Sequence, residues 1–280
     1  MNRILSHKEI AKDIIELVVE APEIAKAALP GQFVIVMADD KSERIPLTIA
    51  DFDRANGTVT LVLMAVGTST HKLEAIAQGG SIYAMAGPLG LPSEIQKLGT
   101  VVCVAGGVGV APIYPIARAL KESSNKVICI QGSRTKDLLF WTDKITSVSD
   151  KHIVMTDDGT AGTKGMVTAP LEEILKSNSE GPIACVWVIG PPPMMRACAE
   201  TTRPYGIKTL VSLNTMMVDG TGMCGGCRVS VGGKTKFTCV DGPEFDGHLV
   251  DWALLSSRQK VYHTQEQCSL NRYLRKEVKP

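Results

Sequence analysis

Five short, mainly apolar runs separated by helix-length stretches constrain this chain more than any other feature. The runs span 101–105, 127–130, 152–155, 184–189 and 209–213, and helical patterns fill 112–121, 137–145, 166–176 and 194–202. A strand apolar along its whole length has no solvent face, so these runs predict an α/β parallel sheet with helices on both sides. Such sheets bind ligands beyond the carboxyl ends of their strands. Two loops stand there. Gly106-Gly107-Val108-Gly109-Val110-Ala111-Pro112 follows the first run. Its glycines (Gly106, Gly107, Gly109) let backbone N–H groups approach a pyrophosphate, and Pro112 suits the first turn of the next helix. The spacing is not G-x-G-x-x-G, which disfavours a standard Rossmann dehydrogenase. Gly190-Pro191-Pro192-Pro193-Met194-Met195 follows the fourth run. Gly190, Pro191, Met194 and Met195 are therefore candidate nucleotide contacts, with Asp158 after the third run. Arg134, after the second run, stands where a 2′-phosphate would be read.

Residues 1–97 have a different character. Apolar runs at 14–19, 33–37, 46–50, 59–64 and 81–85 alternate with turn signals at Pro30-Gly31, Asn56-Gly57 and Gly79-Gly80. Close strand spacing with such turns predicts a small antiparallel β-barrel, with one helix over 69–77. Arg44-Ile45-Pro46-Leu47-Thr48 enters one of these strands, and Gly67-Thr68-Ser69-Thr70 leads into the helix. A guanidinium can pair with a diphosphate, and a hydroxyl can hydrogen-bond a flavin ring nitrogen. The competing readings are a surface arginine and an ordinary helix cap.

Residues 214–280 carry Asp219-Gly-Thr-Gly-Met-Cys224-Gly-Gly-Cys227, followed by Cys239. Thiolates two residues apart in a glycine loop can converge on one metal centre. The C-x2-C-x11-C spacing lacks a fourth cysteine, and Asp219 stands five residues before Cys224, where a C-x4-C-x2-C loop would place it. Cys268 and His248 are the other candidate fourth ligands, the latter for tetrahedral zinc. Met216, Met217 and Met223 are expected to shield the loop. An amphipathic stretch falls around 249–255.

A formal net charge of +1, with no basic stripe, argues against nucleic-acid binding. The start MNRILSHKEI carries charges where a signal peptide needs an apolar core, and no run reads as a membrane span. Eight cysteines without such a signal favour metal ligation over disulfides, and a cytoplasmic setting.

The order R-x-P-x-T, G-x-x-T-x-x-L, GPLG, GGVGVAP and GPPPMM resembles the ferredoxin–NADP reductase superfamily. With the cysteine loop added, nearly the whole chain looks like an electron-transfer subunit of the dihydroorotate dehydrogenase B and sulfide dehydrogenase type. That resemblance implies an FAD-binding barrel at 1–97, an NAD(P)-binding domain at 98–213 and a [2Fe–2S] loop with a tail at 214–280. It implies hydride exchange between NAD(H) and FAD near Thr48, then single-electron transfer to the cluster. Flavin-contacting aromatics usual in the superfamily are replaced here, with Leu47 beside Thr48 and Arg44 four residues before it. Asp219 as first ligand resembles the small subunit of NADH-dependent ferredoxin:NADP⁺ oxidoreductase, where one Asp and three Cys hold the cluster. The implied partner is a large flavoprotein subunit with FAD and [4Fe–4S] clusters, delivering to ferredoxin in an electron-bifurcating complex. NADP(H) is then the partner's nucleotide. The rival within the class is electron delivery from dihydroorotate oxidation. The rival outside it is a zinc-stapled, non-redox nucleotide-binding module. A heteromeric interface is expected near 216–223.

Overall fold

The computed structural model describes residues 2–277. The N-terminal part contains β1 (Asn2–Ala11), β2 (Ile14–Glu20), α1 (Pro22–Ala27), β3 (Phe33–Met37), β4 (Ile45–Asp53), β5 (Thr58–Met64), α2 (Thr68–Glu74), β6 (Ser81–Ile82) and β7 (Ala84–Leu89). The strands pair antiparallel in the order β6-β1-β2-β5-β4-β3-β7. The two ends of that order are consecutive strands separated only by Tyr83, so the sheet curls into a nearly closed barrel. Expected strand 81–85 is thereby split in two. Ile4, Leu17, Val19, Val34, Val36, Ile49, Leu61 and Leu63 fill the interior. β3 is apolar on both faces for a reason: Val34 and Val36 point inward, while Phe33 and Ile35 point out against the cysteine segment.

The second part runs β8 (Thr100–Gly106), a 3₁₀ turn at Gly107–Gly109, α3 (Val110–Glu122), β9 (Lys126–Ser133), α4 (Thr142–Ser147), β10 (Lys151–Thr156), β11 (Thr163–Lys164), α5 (Thr168–Ser177), β12 (Ile183–Ile189), α6 (Pro192–Thr202) and β13 (Lys208–Ser212). β11-β10-β9-β8-β12-β13 pair in parallel, as the apolar runs required. Val101, Cys103 and Ala105 belong to the core on one face, Val102 and Val104 to that on the other. Between β8 and β12 the strand order reverses, which opens a crevice at their carboxyl ends. The helix expected at 137–145 begins later. Trp141 takes a left-handed φ of 53°, so only a 3₁₀ turn at Lys136–Leu138 precedes α4.

The tail forms the hairpin β14 (Arg228–Val231) and β15 (Lys234–Phe237), then α7 (Thr238–Asp241), β16 (Glu244–Asp246), α8 (Trp252–Gln259) and α9 (His263–Glu277). β16 adds antiparallel to β13, with Ser212 opposite Glu244. Asp251 caps α8 by accepting from Leu254 N–H at 2.9 Å, so the amphipathic stretch becomes a helix displaced toward the C-terminus. α9 lies on α2 through a Thr68–Ser269 hydroxyl contact of 2.9 Å and stacked His71 and Tyr273 rings. Barrel and sheet share a core, since Ile14, Ala50 and Val62 pack with residues of β8, α3 and β12. Trp141 Nε1–H donates to Glu16 at 2.9 Å, and Arg118 pairs with Asp51 at 2.8 Å, across the same junction. Among the described residues no helix is long and apolar enough to cross a membrane.

Candidate redox cleft and cysteine segment

A cleft of about 790 Å³ lies between the barrel and the carboxyl ends of β8 and β12. From β4 it is lined by Pro46, Leu47 and Thr48; from the first glycine loop by Gly106, Gly107, Gly109 and Pro112. Arg134 lines it beyond β9, and Gly190, Pro191, Met194 and Met195 beyond β12. The glycines are required for different reasons. A Cβ on Gly106 would strike Met194 Sδ, and one on Gly109 would strike the Ile189 carbonyl, so these two let the β8 and β12 loops pack together. Gly107 faces open space at φ 54°, a turn conformation that suits glycine.

The remaining expected contacts are placed elsewhere. Arg44 is exposed and does not line the cleft. Gly67, Thr68, Ser69 and Thr70 form the start of α2, also away from it. There Thr70 Oγ1 accepts from Val66 N–H and Gly67 N–H at 3.0 and 2.9 Å. Asp158 uses its carboxylate locally, accepting from the Thr160 N–H and hydroxyl at 3.0 and 2.7 Å, which holds its pKa below the ordinary value. Its neighbour Asp157 lines the cleft instead.

In the cysteine segment, Gly220, Gly222 and Gly225 all have positive φ and wrap the chain tightly. Asp219 accepts from Thr221 N–H and Cys224 N–H, both at 2.8 Å, and these donors lower its pKa. Cys224 is exposed, and Gly226 N–H points at its Sγ at 3.4 Å. Cys227 and Cys239 are buried with Sγ atoms 3.2 Å apart and no disulfide between them. Burial, reinforced by Cys227, pushes the Cys239 thiol up to about 12. Among the described residues no three His, Cys, Asp or Glu side chains converge on one point. The donor set nevertheless fits an iron–sulfur centre: two buried unbridged thiols in contact, a third in a loop with an N–H aimed at its sulfur, and a carboxylate tied to that loop. Cys268 lies exposed on α9, while Cys103, Cys129, Cys185 and Cys198 are buried in the core of the second part.

Cleft and cysteines are neighbours. Cys227, Cys239 and Met217 form one buried cluster with Phe33 and Ile35 of β3. Phe33 is the register partner of Thr48, and both Phe33 and Met217 line the cleft. Of the three methionines expected to shield the loop only Met217 does so; Met216 is 41% and Met223 89% exposed. Phe33, Met64, Asn214 and Gln259 line the cleft without having been singled out from sequence. The signal for Phe33 was present in β3, whose five residues Phe33–Met37 are all apolar.

Comparison with known proteins agrees with this layout. A family described as oxidoreductase NAD-binding domain matches residues 103–200, and one described as iron–sulfur cluster binding domain of dihydroorotate dehydrogenase B matches 214–251. Fold and site thus define an oxidoreductase of the ferredoxin-reductase type, with a nucleotide-binding domain and an iron–sulfur cluster domain. A homologue of the dihydroorotate dehydrogenase B (NAD⁺) electron transfer subunit in Thermotoga maritima is 45% identical over 275 residues, covering 98% of this chain and 96% of that one. The electron transfer subunit of Fusobacterium nucleatum is 31% identical over 248 residues, covering 85% and 92%. The chain belongs to this family of dihydroorotate dehydrogenase B electron-transfer subunits and their homologues. A solved structure of NADH-dependent reduced ferredoxin–NADP oxidoreductase, studied for flavin-based electron bifurcation, superimposes with a TM-score of 0.92 at 44% identity, covering 98% of both chains. Phthalate dioxygenase reductase, at 17% identity and a TM-score of 0.58, shares the fold.

Proposed function

We propose that the chain is the small subunit of an electron-bifurcating NADH-dependent ferredoxin:NADP⁺ oxidoreductase. In this reading residues 1–97 hold FAD, 98–213 hold NAD(H), and 214–280 hold a [2Fe–2S] cluster and the tail. The observation that carries it is the single cleft that Thr48 of the barrel, both nucleotide loops and Met217 of the cysteine segment share. FAD held beside Thr48 would supply chemistry that links the two-electron hydride of a nicotinamide to the one-electron capacity of an iron–sulfur cluster.

The chain's own residues supply position and environment. Thr48 offers its hydroxyl to the flavin ring, with Pro46 and Leu47 along the same strand. The Gly106–Gly109 turn and the start of α3 receive the nucleotide pyrophosphate. Gly190, Pro191, Met194 and Met195 close the opposite wall, with Pro112 and Arg134 at its ends. Arg44, Asp158 and Gly67–Thr70 lie outside the cleft lining and remain cofactor contacts in this reading for the parts of the FAD and nucleotide that extend beyond it. Asp219, Cys224, Cys227 and Cys239 are the cluster ligands. The buried contact of Phe33 with Cys227 and Cys239 keeps water out between cleft and cluster. The relatives are named as electron transfer subunits; the partner here is a large flavoprotein carrying FAD and [4Fe–4S] clusters, reaching ferredoxin, in the cytoplasm.

An anaerobic visible spectrum tests this. Purified protein should show flavin bands and iron–sulfur absorption, and NADH should bleach both. A colourless, zinc-containing protein would sink the reading. A second reading, electron delivery from dihydroorotate oxidation, is favoured by the family match over 214–251. Asp219 in the first ligand position weighs against it, and reduction of the complete complex by dihydroorotate would establish it.

A further inference from the structure

Two arginines bond the backbone between Cys224 and Cys227. Arg258 Nη2 donates to the Gly226 carbonyl at 3.0 Å, and Arg228 Nη1 donates to the Gly225 carbonyl at 3.2 Å. These contacts act on specific peptide planes. In a trans peptide the C=O and the following N–H point in opposite directions. The Gly225 carbonyl therefore belongs to the same plane as Gly226 N–H, which points at Cys224 Sγ at 3.4 Å. The Gly226 carbonyl shares its plane with Cys227 N–H. Arg228 thus holds the plane whose amide faces Cys224 Sγ, and Arg258 fixes the next plane, which carries Cys227 N–H.

Arg258 is itself well anchored. It lies in the last turn of α8, whose Leu255 is buried in the sheet core and whose Trp252 donates to the Gly247 carbonyl at 3.1 Å. The next residue, Gln259, donates to the Asn214 carbonyl at 2.9 Å, and both Gln259 and Asn214 line the cleft. One end of α8 thus ties the loop between two cysteines to the wall of the nucleotide site.

We infer that Arg258, assisted by Arg228, is a positioning residue that fixes the amides of the Cys224–Cys227 loop and sets the electrostatics of the centre held there. Reduction of an iron–sulfur cluster adds negative charge. Fixed cations behind the loop, and amides aimed at its sulfurs, stabilise that charge and raise the reduction potential. The inference rests on the cluster reading above.

The test uses full-length protein loaded with iron and sulfide, followed by a redox titration read by electron paramagnetic resonance and by the rate of iron loss to a chelator. Arg258→Gln should move the midpoint to more negative potential and speed iron loss several-fold. Arg258→Lys, which keeps the charge, should move the midpoint less than Arg258→Gln does. Arg228 is exposed, so Arg228→Gln leaves packing intact and should shift the midpoint in the same direction. If Arg258→Gln does not fold, Arg228→Gln decides the matter. A loaded Arg258→Gln or, failing that, Arg228→Gln with wild-type midpoint and iron loss overturns the inference. Failure of the wild-type chain to assemble any cluster overturns the underlying reading instead.

Discussion

Gly109 and Gly107 stand two residues apart in one loop, yet a methyl group would meet different fates at each. At Gly109 it would collide with the Ile189 backbone, forcing the β8 and β12 loops apart. Gly109→Ala should therefore cost about 1–3 kcal/mol, the range for overpacking, and weaken nucleotide binding as well. Gly107→Ala meets no atoms and carries only the left-handed conformational penalty, roughly 1 kcal/mol. Chemical denaturation of both variants checks the order, and an equal loss would contradict it. The glycine cluster was legible in the sequence as a turn between an apolar strand and a helix. That Gly106 and Gly109 also serve loop packing was not, because Ile189 and Met194 lie some eighty residues away along the chain. Asp219 poses a separate question. Asp219→Cys should keep a cluster and shift its midpoint, since a thiolate donates more charge to iron than a carboxylate does. An unshifted midpoint would show that the carboxylate only shapes the loop through Thr221 and Cys224.

At the scale of elements, β16 carries a carboxyl group in an unusual place. Glu244 accepts from the Ser93 hydroxyl at 2.5 Å and from Trp187 Nε1–H at 3.3 Å, with its carboxyl end enclosed although the residue is only partly buried. Burial raises its pKa above the ordinary 4.5, against those two hydrogen bonds. As pH rises, the unfolded chain releases this proton first, so stability present below the ordinary value is lost up to the raised folded value. A glutamine keeps a carbonyl for Trp187 and an amide for Ser93 without that loss. Glu244→Gln should thus raise the melting temperature at neutral pH, with the gain vanishing toward pH 4.5. A gain that grows on acidification would contradict the assignment. The parallel strands were read correctly because burial on both faces leaves short apolar runs, and helix-length stretches between them mark crossover connections. β1, α1, β16 and α9 were not anticipated. In β1 only Ile4 is buried, so no alternation shows; β16 has three residues between glycine and proline; α9 is largely polar and exposed. α4 started late because Trp141 adopts a backbone conformation that its residue type does not announce.

For the whole molecule, the shared core of Ile14, Ala50 and Val62 with β8, α3 and β12 makes barrel and sheet one thermodynamic body. Calorimetry should show a single transition, and two resolved ones would contradict this. Trp141→Phe, which removes the hydrogen bond to Glu16, should lower that transition by about 0.5–1.5 kcal/mol without splitting it. The nucleotide preference belongs to this scale too. Arg134 lines the cleft together with Asp157, an anion that opposes a 2′-phosphate, so NADH should reduce the protein faster than NADPH. Stopped-flow reduction with each nucleotide decides it. The chain leaves the parallel sheet at Ser212, visits the cysteines, and returns at Glu244 directly opposite. Topologically the cysteine segment is the long loop of a hairpin between β13 and β16, folded back onto β3. Its exchange would therefore be felt at the cleft, because Asn214 and Met217 line that cleft and Met217, Cys227 and Cys239 pack on Phe33 and Ile35 of β3.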